Sequence, residues 1–186
     1  MTEFSVQIRF LGGLNPLQES AFKSAALRWS EVITGDLPSI LINGETIDDV
    51  VIEARGAYID GAGSILGQAG PTHLRPGTLL PAKGMMEFDT ADLVRMEAEG
   101  NLHSVILHEM GHVLGIGTIW KLLSLLQDSG TANPVFTGKN AMREFSALIG
   151  STEPTPVPIE NRGREGTREG HWRETIFGNE LMTGFL

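Results

Sequence analysis

Residues 102–114 constrain the fold of this chain more than any other segment. Apolar residues recur there around most of a helical circumference, so the segment is predicted to be a helix buried nearly all round. It contains the pentapeptide His108-Glu109-Met110-Gly111-His112. Two histidines four residues apart project from the same face of a helix, where both imidazoles can reach one metal ion. Core packing of this helix is expected to hold the two histidines rigid.

The pentapeptide alone is only moderately specific, because a histidine on an apolar helix is more often a hydrogen-bonded core residue than a metal ligand. The residues that follow, Val113-Leu114-Gly115, strengthen the metal-site interpretation, since a glycine permits a sharp turn after the second ligand. Glu109 projects about a quarter turn away from the histidines. That position suits a carboxylate that acts on a metal-activated water and does not bind the metal.

A hydrolytic zinc site usually has three protein ligands and one open position, so a third ligand is required. The candidates are His73, His103, His171 and the carboxylates. His103 lies about 140° from His108 around the same helix and cannot converge with it. His73 falls among prolines and glycines and is expected in a surface loop. His171 follows a glycine-rich arm and precedes the bulky Trp172, which makes it the best candidate.

The composition limits the classes of partner. The 186 residues have a net charge of −9, so a basic nucleic-acid surface is not expected. The arginines between 162 and 168 alternate with acidic residues and indicate a solvated loop. The absence of cysteine excludes disulfides, cysteine-ligated metals and a thiol nucleophile. No run of 18 apolar residues and no signal peptide is visible, so no membrane segment is expected.

Periodicity along the chain predicts an α+β fold with a mixed sheet. The expected strands are 4–10, 50–59 and 83–88, with a short edge strand at 64–69 before Gly70-Pro71. The expected helices begin at Pro16, capped by Asn15, and cover 90–99, 102–114 and 139–149, with a short helical turn at 120–126. Residues 151–170 have no periodicity, which is typical of a functional or disordered segment.

Five segments of the chain resemble the leishmanolysin family of metzincin zinc metalloendopeptidases (peptidase family M8). They are HEMGHVLGIGTIW (108–120), FTGKNA (136–141), GHWRETIFGNELMTG (170–184), GSILGQAGPTHLR (63–75) and MMEFDTADL (85–93). In that family a long insertion separates the zinc-binding helix from the third zinc histidine. Thr118 stands where ordinary metzincins carry that histidine, and His171 follows more than fifty residues later.

The resemblance implies a metzincin-like zincin domain, with a twisted mixed β-sheet, long helices and a loop-rich C-terminal part. It implies one catalytic Zn²⁺ ion bound by His108, His112 and His171, with Glu109 as general base. Gly115 would form the turn after the helix, and Met182 the Met-turn eleven residues after His171. The edge strand would pair with an extended peptide substrate through its backbone; its residues are Ser64, Ile65, Leu66, Gly67, Gln68 and Ala69.

The expected function is therefore zinc-dependent hydrolysis of peptide bonds, with Glu109 taking the proton of a water activated by the zinc. The alternative is a catalytically silent, zinc-stabilised binding or adhesion module, or an inactive fragment, on the same fold. An intact Glu109 argues against that alternative. By the resemblance we also expect a small bacterial relative, secreted or extracellular, that acts as a monomer on peptide or protein substrates.

We expect one catalytic domain over residues 1–186, with an N-terminal subdomain of about 1–117 and a C-terminal subdomain of about 118–186. Metzincins generally continue into a helix after the Met-turn. A chain that stops at Leu186 is therefore expected to be truncated or shortened after that turn. The acidic turn at 60–63 does not approach an EF-hand loop, so no calcium site is predicted.

Overall fold

The computed structural model describes residues 3–63 and 65–185. These residues form five helices and three sheets, one of them mixed, which confirms the predicted α+β class. The chain divides into two compact units, Met1–Gly115 and Ile116–Leu186. Within the described ranges, no helix combines the length and apolarity that a membrane crossing requires.

The first unit is built on a four-stranded sheet. The strands of this unit are β1 (Val6–Phe10), β2 (Ile40–Ile42), β3 (Glu45–Ile47), β4 (Val50–Ala57), β5 (Gly67–Leu74) and β6 (Pro81–Asp89). Its helices are α1 (Pro16–Val32), α2 (Thr90–Glu99) and α3 (Leu102–Val113). The sheet order is β1-β4-β6-β5, in which β1, β4 and β6 run parallel and β5 is an antiparallel edge strand. Strands β2 and β3 form a separate hairpin.

Helix α1 begins as the sequence predicts. The Asn15 side chain accepts a hydrogen bond from the Gln18 backbone N–H, and the Gln18 side chain accepts one from the Asn15 N–H. Pro16 occupies the first helical turn, where the missing N–H is not needed. Helix α2 is capped by Asp89 and ends at Gly100, which is left-handed with φ +74°.

Helix α3 packs on α1, α2 and the sheet strands β5 and β6. Ile106, Met110 and Val113 are completely buried, as the apolar pattern of residues 102–114 predicts. The Trp29 indole N–H donates to the Leu107 carbonyl oxygen at 3.0 Å and ties α1 to α3. A Cβ at Gly84 would lie 2.2 Å from Val113 Cγ1, so the glycine in β6 permits this close packing. The helix that carries the two histidines is thus fixed by its surroundings.

The second unit contains a small sheet and two helices around an aromatic core. The strands β7 (Leu126–Gln127), β8 (Val135–Phe136) and β9 (Val157–Pro158) pair antiparallel in that order. The helices are α4 (Lys139–Leu148) and α5 (Glu174–Phe177). Trp120, Phe136 and Phe145 are buried, and Trp172 stacks on Trp120 with ring centroids 4.7 Å apart.

The edge strand differs from its prediction. β5 starts at Gly67 and continues through Pro71 to Leu74, so Ile65 and Leu66 precede it, and Ser64 lies outside the described residues. An edge strand tolerates a proline, and the pairing with β6 is irregular just after Pro71. His73 therefore belongs to this strand, and the prediction that it lies in a loop was wrong.

Candidate metal centre

Helix α3 brings two imidazoles together. The Nε2 atoms of His108 and His112 lie 3.1 Å apart, with the rings nearly perpendicular. Two nitrogens bound to one tetrahedral zinc at about 2.0–2.1 Å would be about 3.3–3.4 Å apart. The spacing of the two nitrogens is thus close to what a shared ion requires. The buried face of α3 restrains both side chains, and His112 is only 8% exposed.

The chain turns immediately after the second of these histidines. Gly115 has φ +107°, a backbone conformation that favours glycine. Its N–H donates to the His112 carbonyl oxygen at 3.2 Å. The last helical hydrogen bond runs from the Leu114 N–H to the Met110 carbonyl oxygen, and the chain turns at the next residue, Gly115.

His171 belongs to the second unit and is 6% exposed. Its Nδ1 lies 2.9 Å from the carbonyl oxygen of Thr167. A carbonyl only accepts, so Nδ1 carries the proton and donates, and a metal would be bound through Nε2. The adjacent Trp172 N–H donates to the Met182 carbonyl oxygen at 3.0 Å.

Two glycines position the backbone before His171. Gly117 has φ +78°, and a Cβ there would lie 2.0 Å from the carbonyl oxygen of Gly170. The two backbones are in direct contact, and only glycine at position 117 permits it. Sequence reasoning gave Gly117 no such role, because its partner is 53 residues away and no local pattern links the two.

The three histidines form one candidate metal-binding group. Among the described residues, His108, His112 and His171 each offer a ligand nitrogen, and these atoms lie within 4.8 Å of one another. Three neutral imidazoles are a donor set that suits zinc and leaves a coordination position open. The tautomer of His171 fits this role. His73, exposed on β5, and His103, at the start of α3, are not members of the group.

Glu109 lies beside His108 on α3 and is partly buried. Burial raises the pKa of Glu109 to about 7. A carboxyl with a strongly perturbed pKa next to possible metal ligands is typical of a functional site. A bound cation would lower this pKa again by stabilising the ionised form.

The segment around Met182 forms a tight, hydrogen-bonded turn. Met182 is 3% exposed, and its N–H donates to Glu180 Oε2 at 2.7 Å. The Thr183 hydroxyl donates to the carbonyl oxygens of Gly178 and Glu180. Burial raises the pKa of the Glu180 carboxyl despite the backbone N–H groups that bind it. Sequence reasoning identified Met182 but not Glu180, which holds the turn.

β5 is one of the two edge strands of the first unit's four-stranded sheet, and it packs against α3. Gly67, Gln68 and Ala69 pair with β6, and the Leu66 carbonyl oxygen accepts from the Asp89 N–H at 3.0 Å. Within the part of the chain that the structure describes, no strand pairs with the other side of β5. Its outward backbone groups can accept a further strand.

No known protein-family model matches the chain, and no curated protein matches it. The resemblance to the leishmanolysin family thus rests on the short motifs quoted above and stays a prediction. The group of three histidines is evidence about function that does not depend on this resemblance.

Proposed function

We propose that this chain is a zinc-dependent endopeptidase of the metzincin type, similar to the leishmanolysins. The observation that carries the proposal is the group of three histidine nitrogens. Three imidazoles with an open position are the ligand set of hydrolytic zinc, whereas structural zinc sites are usually closed by four ligands. Glu109, between the two histidines of α3, adds a carboxylate at a position suited to general-base catalysis.

His108, His112 and His171 would hold the zinc ion, which when bound would supply the Lewis acidity that polarises a scissile carbonyl and acidifies a water molecule. Glu109 accepts the proton of the attacking water and then passes it to the leaving amine. No side-chain nucleophile is needed.

β5 is proposed to bind the substrate. An extended peptide can add to the free edge of β5 as a further strand, held by backbone hydrogen bonds. Such binding depends little on side chains, so it favours unfolded or extended protein segments. β5 packs on α3, the helix that carries His108 and His112. A peptide bound along β5 would therefore lie on the strand that packs against this helix.

The metzincin assignment draws further support from the mixed sheet with its antiparallel edge strand and from the turn at Met182. Gly115 and Met182 would then act as the turn after the second ligand and the Met-turn. Action as a monomer, outside the cell and on protein substrates, belongs to the same proposal through the family resemblance.

The test is cleavage of unfolded casein by the zinc-loaded protein, with and without a chelator. Glu109→Ala should keep its zinc and lose about 100- to 10,000-fold in kcat, because the general base is gone. Glu31→Ala, which removes an exposed carboxylate near the end of α1, is the matched control and should cleave normally.

Turnover by Glu109→Ala at the wild-type rate would disprove the mechanism. Stoichiometric zinc without any cleavage by the wild-type protein would favour the silent binding module.

A further inference from the structure

We propose that Glu160 is a positioning residue that fixes His171 for metal binding. This inference rests on the metal centre proposed above, but its evidence lies wholly within the second unit. Glu160 is only 2% exposed and is not part of the metal-binding group. A buried carboxylate is costly unless it is hydrogen-bonded, so its contacts indicate what it does.

The Glu160 carboxylate binds the chain on both sides of His171. Oε1 accepts from the backbone N–H groups of Asn161 and Arg162, at 3.0 and 2.9 Å. Oε2 accepts from the N–H of Glu174, at 3.0 Å. One oxygen therefore holds the start of the segment 161–174, and the other holds its end.

The backbone of Glu160 binds the same segment. Its N–H donates to the His171 carbonyl oxygen at 2.9 Å, and its carbonyl oxygen accepts from the Glu169 N–H at 2.9 Å. Thr167, whose carbonyl orients the His171 imidazole, lies inside this segment. Glu160 thus closes the loop that fixes both the backbone position and the ring orientation of His171.

The hydrogen-bond donors around Glu160 support a positioning role. Within the described residues, every hydrogen bond that its carboxylate accepts comes from a backbone N–H. An ionised carboxylate with two acceptor oxygens can satisfy three such donors, whereas an amide of the same shape has one acceptor oxygen and an NH₂ group that cannot accept. The loop therefore needs an acid at this position.

Glu160→Gln tests the inference because either the start or the end of the segment 161–174 must then face the amide NH₂ group, which cannot accept a hydrogen bond from a backbone N–H. We expect the zinc affinity, measured by competition with a chelating dye, to fall about 10- to 100-fold, as for other residues that orient metal ligands. The cobalt-substituted protein should show an altered visible absorption spectrum. Glu165→Gln, with the same charge change at an exposed position in the same loop, should leave both readouts unchanged.

A double-variant cycle separates positioning from general destabilisation. In the His171→Ala background, Glu160→Gln should cause no further loss of zinc affinity, because the ligand through which it acts is absent. An additional tenfold loss in that background would overturn the inference.

Glu174 supplies a second test in case Glu160→Gln does not fold. Glu174→Pro removes the N–H that Oε2 binds, at the first residue of α5, where proline is well tolerated. Arg173, at φ −69° and ψ 114°, already has the extended conformation that precedes proline. Glu174→Ala keeps the N–H and is the control. Zinc affinity should fall for the proline variant only.

Equal zinc affinity and equal cobalt spectra across both pairs of variants would overturn the role of Glu160 while leaving the metal centre intact. A wild-type protein that binds no zinc, or a His171→Ala variant that binds it undiminished, would overturn the metal centre and the inference together. The failures of the two proposals are thereby distinguishable.

Discussion

Asp89 shows how a single buried carboxylate organises the first unit. The residue is completely buried, at the junction between β6 and α2. Its Oδ1 accepts from the Ala91 N–H and caps α2, while Oδ2 accepts from the N–H groups of Ile59, Asp60 and Gly61. One side chain therefore fixes both the helix start and the loop that leads towards β5.

These contacts predict a pH dependence of stability. Burial would raise the pKa of Asp89, but its four backbone donors outweigh that effect and lower the pKa to about 2. An unfolded Asp protonates near pH 4. Because the folded pKa is the lower one, the stabilisation is fully present above about pH 4 and is lost as pH falls towards 2.

Asp89→Asn should accordingly lower the urea midpoint of unfolding at pH 7. The gap from wild type should narrow as pH falls from 4 to 2, because the wild-type carboxylate then becomes protonated. Asp48→Asn, at an exposed position that accepts one hydroxyl bond, is the charge control. A gap that is constant with pH would show that the ionised form of Asp89 contributes nothing.

Some of the important residues could be predicted from the sequence and others could not, for a physical reason. His108, Glu109 and His112 were identified because helical geometry fixes their relation within five residues. Asp89 and Glu160 were not, because their partners are backbone N–H groups that leave no mark on the sequence. No periodicity spans the residues between α3 and His171, so helical geometry could not identify this histidine. It was predicted as a ligand from the residues next to it and from the family resemblance.

At the scale of the elements, the C-terminal end of α3 makes one very close contact with the sheet. Gly84 in β6 lies directly against Val113, the last residue of the helix and the neighbour of His112. A methyl group at position 84 would also lie 2.9 Å from the Gly70 carbonyl oxygen in β5. The end of α3 cannot move aside without disturbing the histidine next to it.

Gly84→Ala is therefore expected to destabilise the protein by about 1–3 kcal/mol, the usual effect of overpacking a core. It should also weaken zinc binding, because displacement of Val113 shifts His112. Adding Val113→Ala removes the clashing Cγ1 and should restore part of the zinc affinity. Urea unfolding and chelator competition measure the two effects. Unchanged zinc affinity in Gly84→Ala would mean that α3 is not positioned through this contact.

The helices were predicted more completely than the strands. α1 begins at Pro16 as predicted, and α2, α3 and α4 lie within one residue of their predicted limits, because capping residues and 3.6-residue periodicity mark them locally. The β2–β3 hairpin was missed although its turn, Asn43-Gly44, is a strong hairpin signal with both residues at positive φ. The two-residue strands β7, β8 and β9 are too short to show alternation, so only their pairing defines them.

For the molecule as a whole, composition and element order were sufficient to predict the α+β class and its mixed sheet. Each unit has its own apolar core, and the packing of Trp120, Phe136 and Phe145 into one aromatic cluster in the second unit was not predicted from the sequence. Fold class does not determine function. The central claim therefore concerns the three histidines and not the architecture.

The most direct test of that claim is X-ray absorption spectroscopy of the zinc-loaded protein, with the zinc content measured on the same sample. We predict one zinc per chain with three imidazole nitrogens at about 2.0–2.1 Å. His171→Ala should retain only two imidazoles and bind zinc weakly, while His73→Ala, which removes an exposed histidine, should match wild type. No bound zinc, or an unchanged three-imidazole site in His171→Ala, would contradict the account.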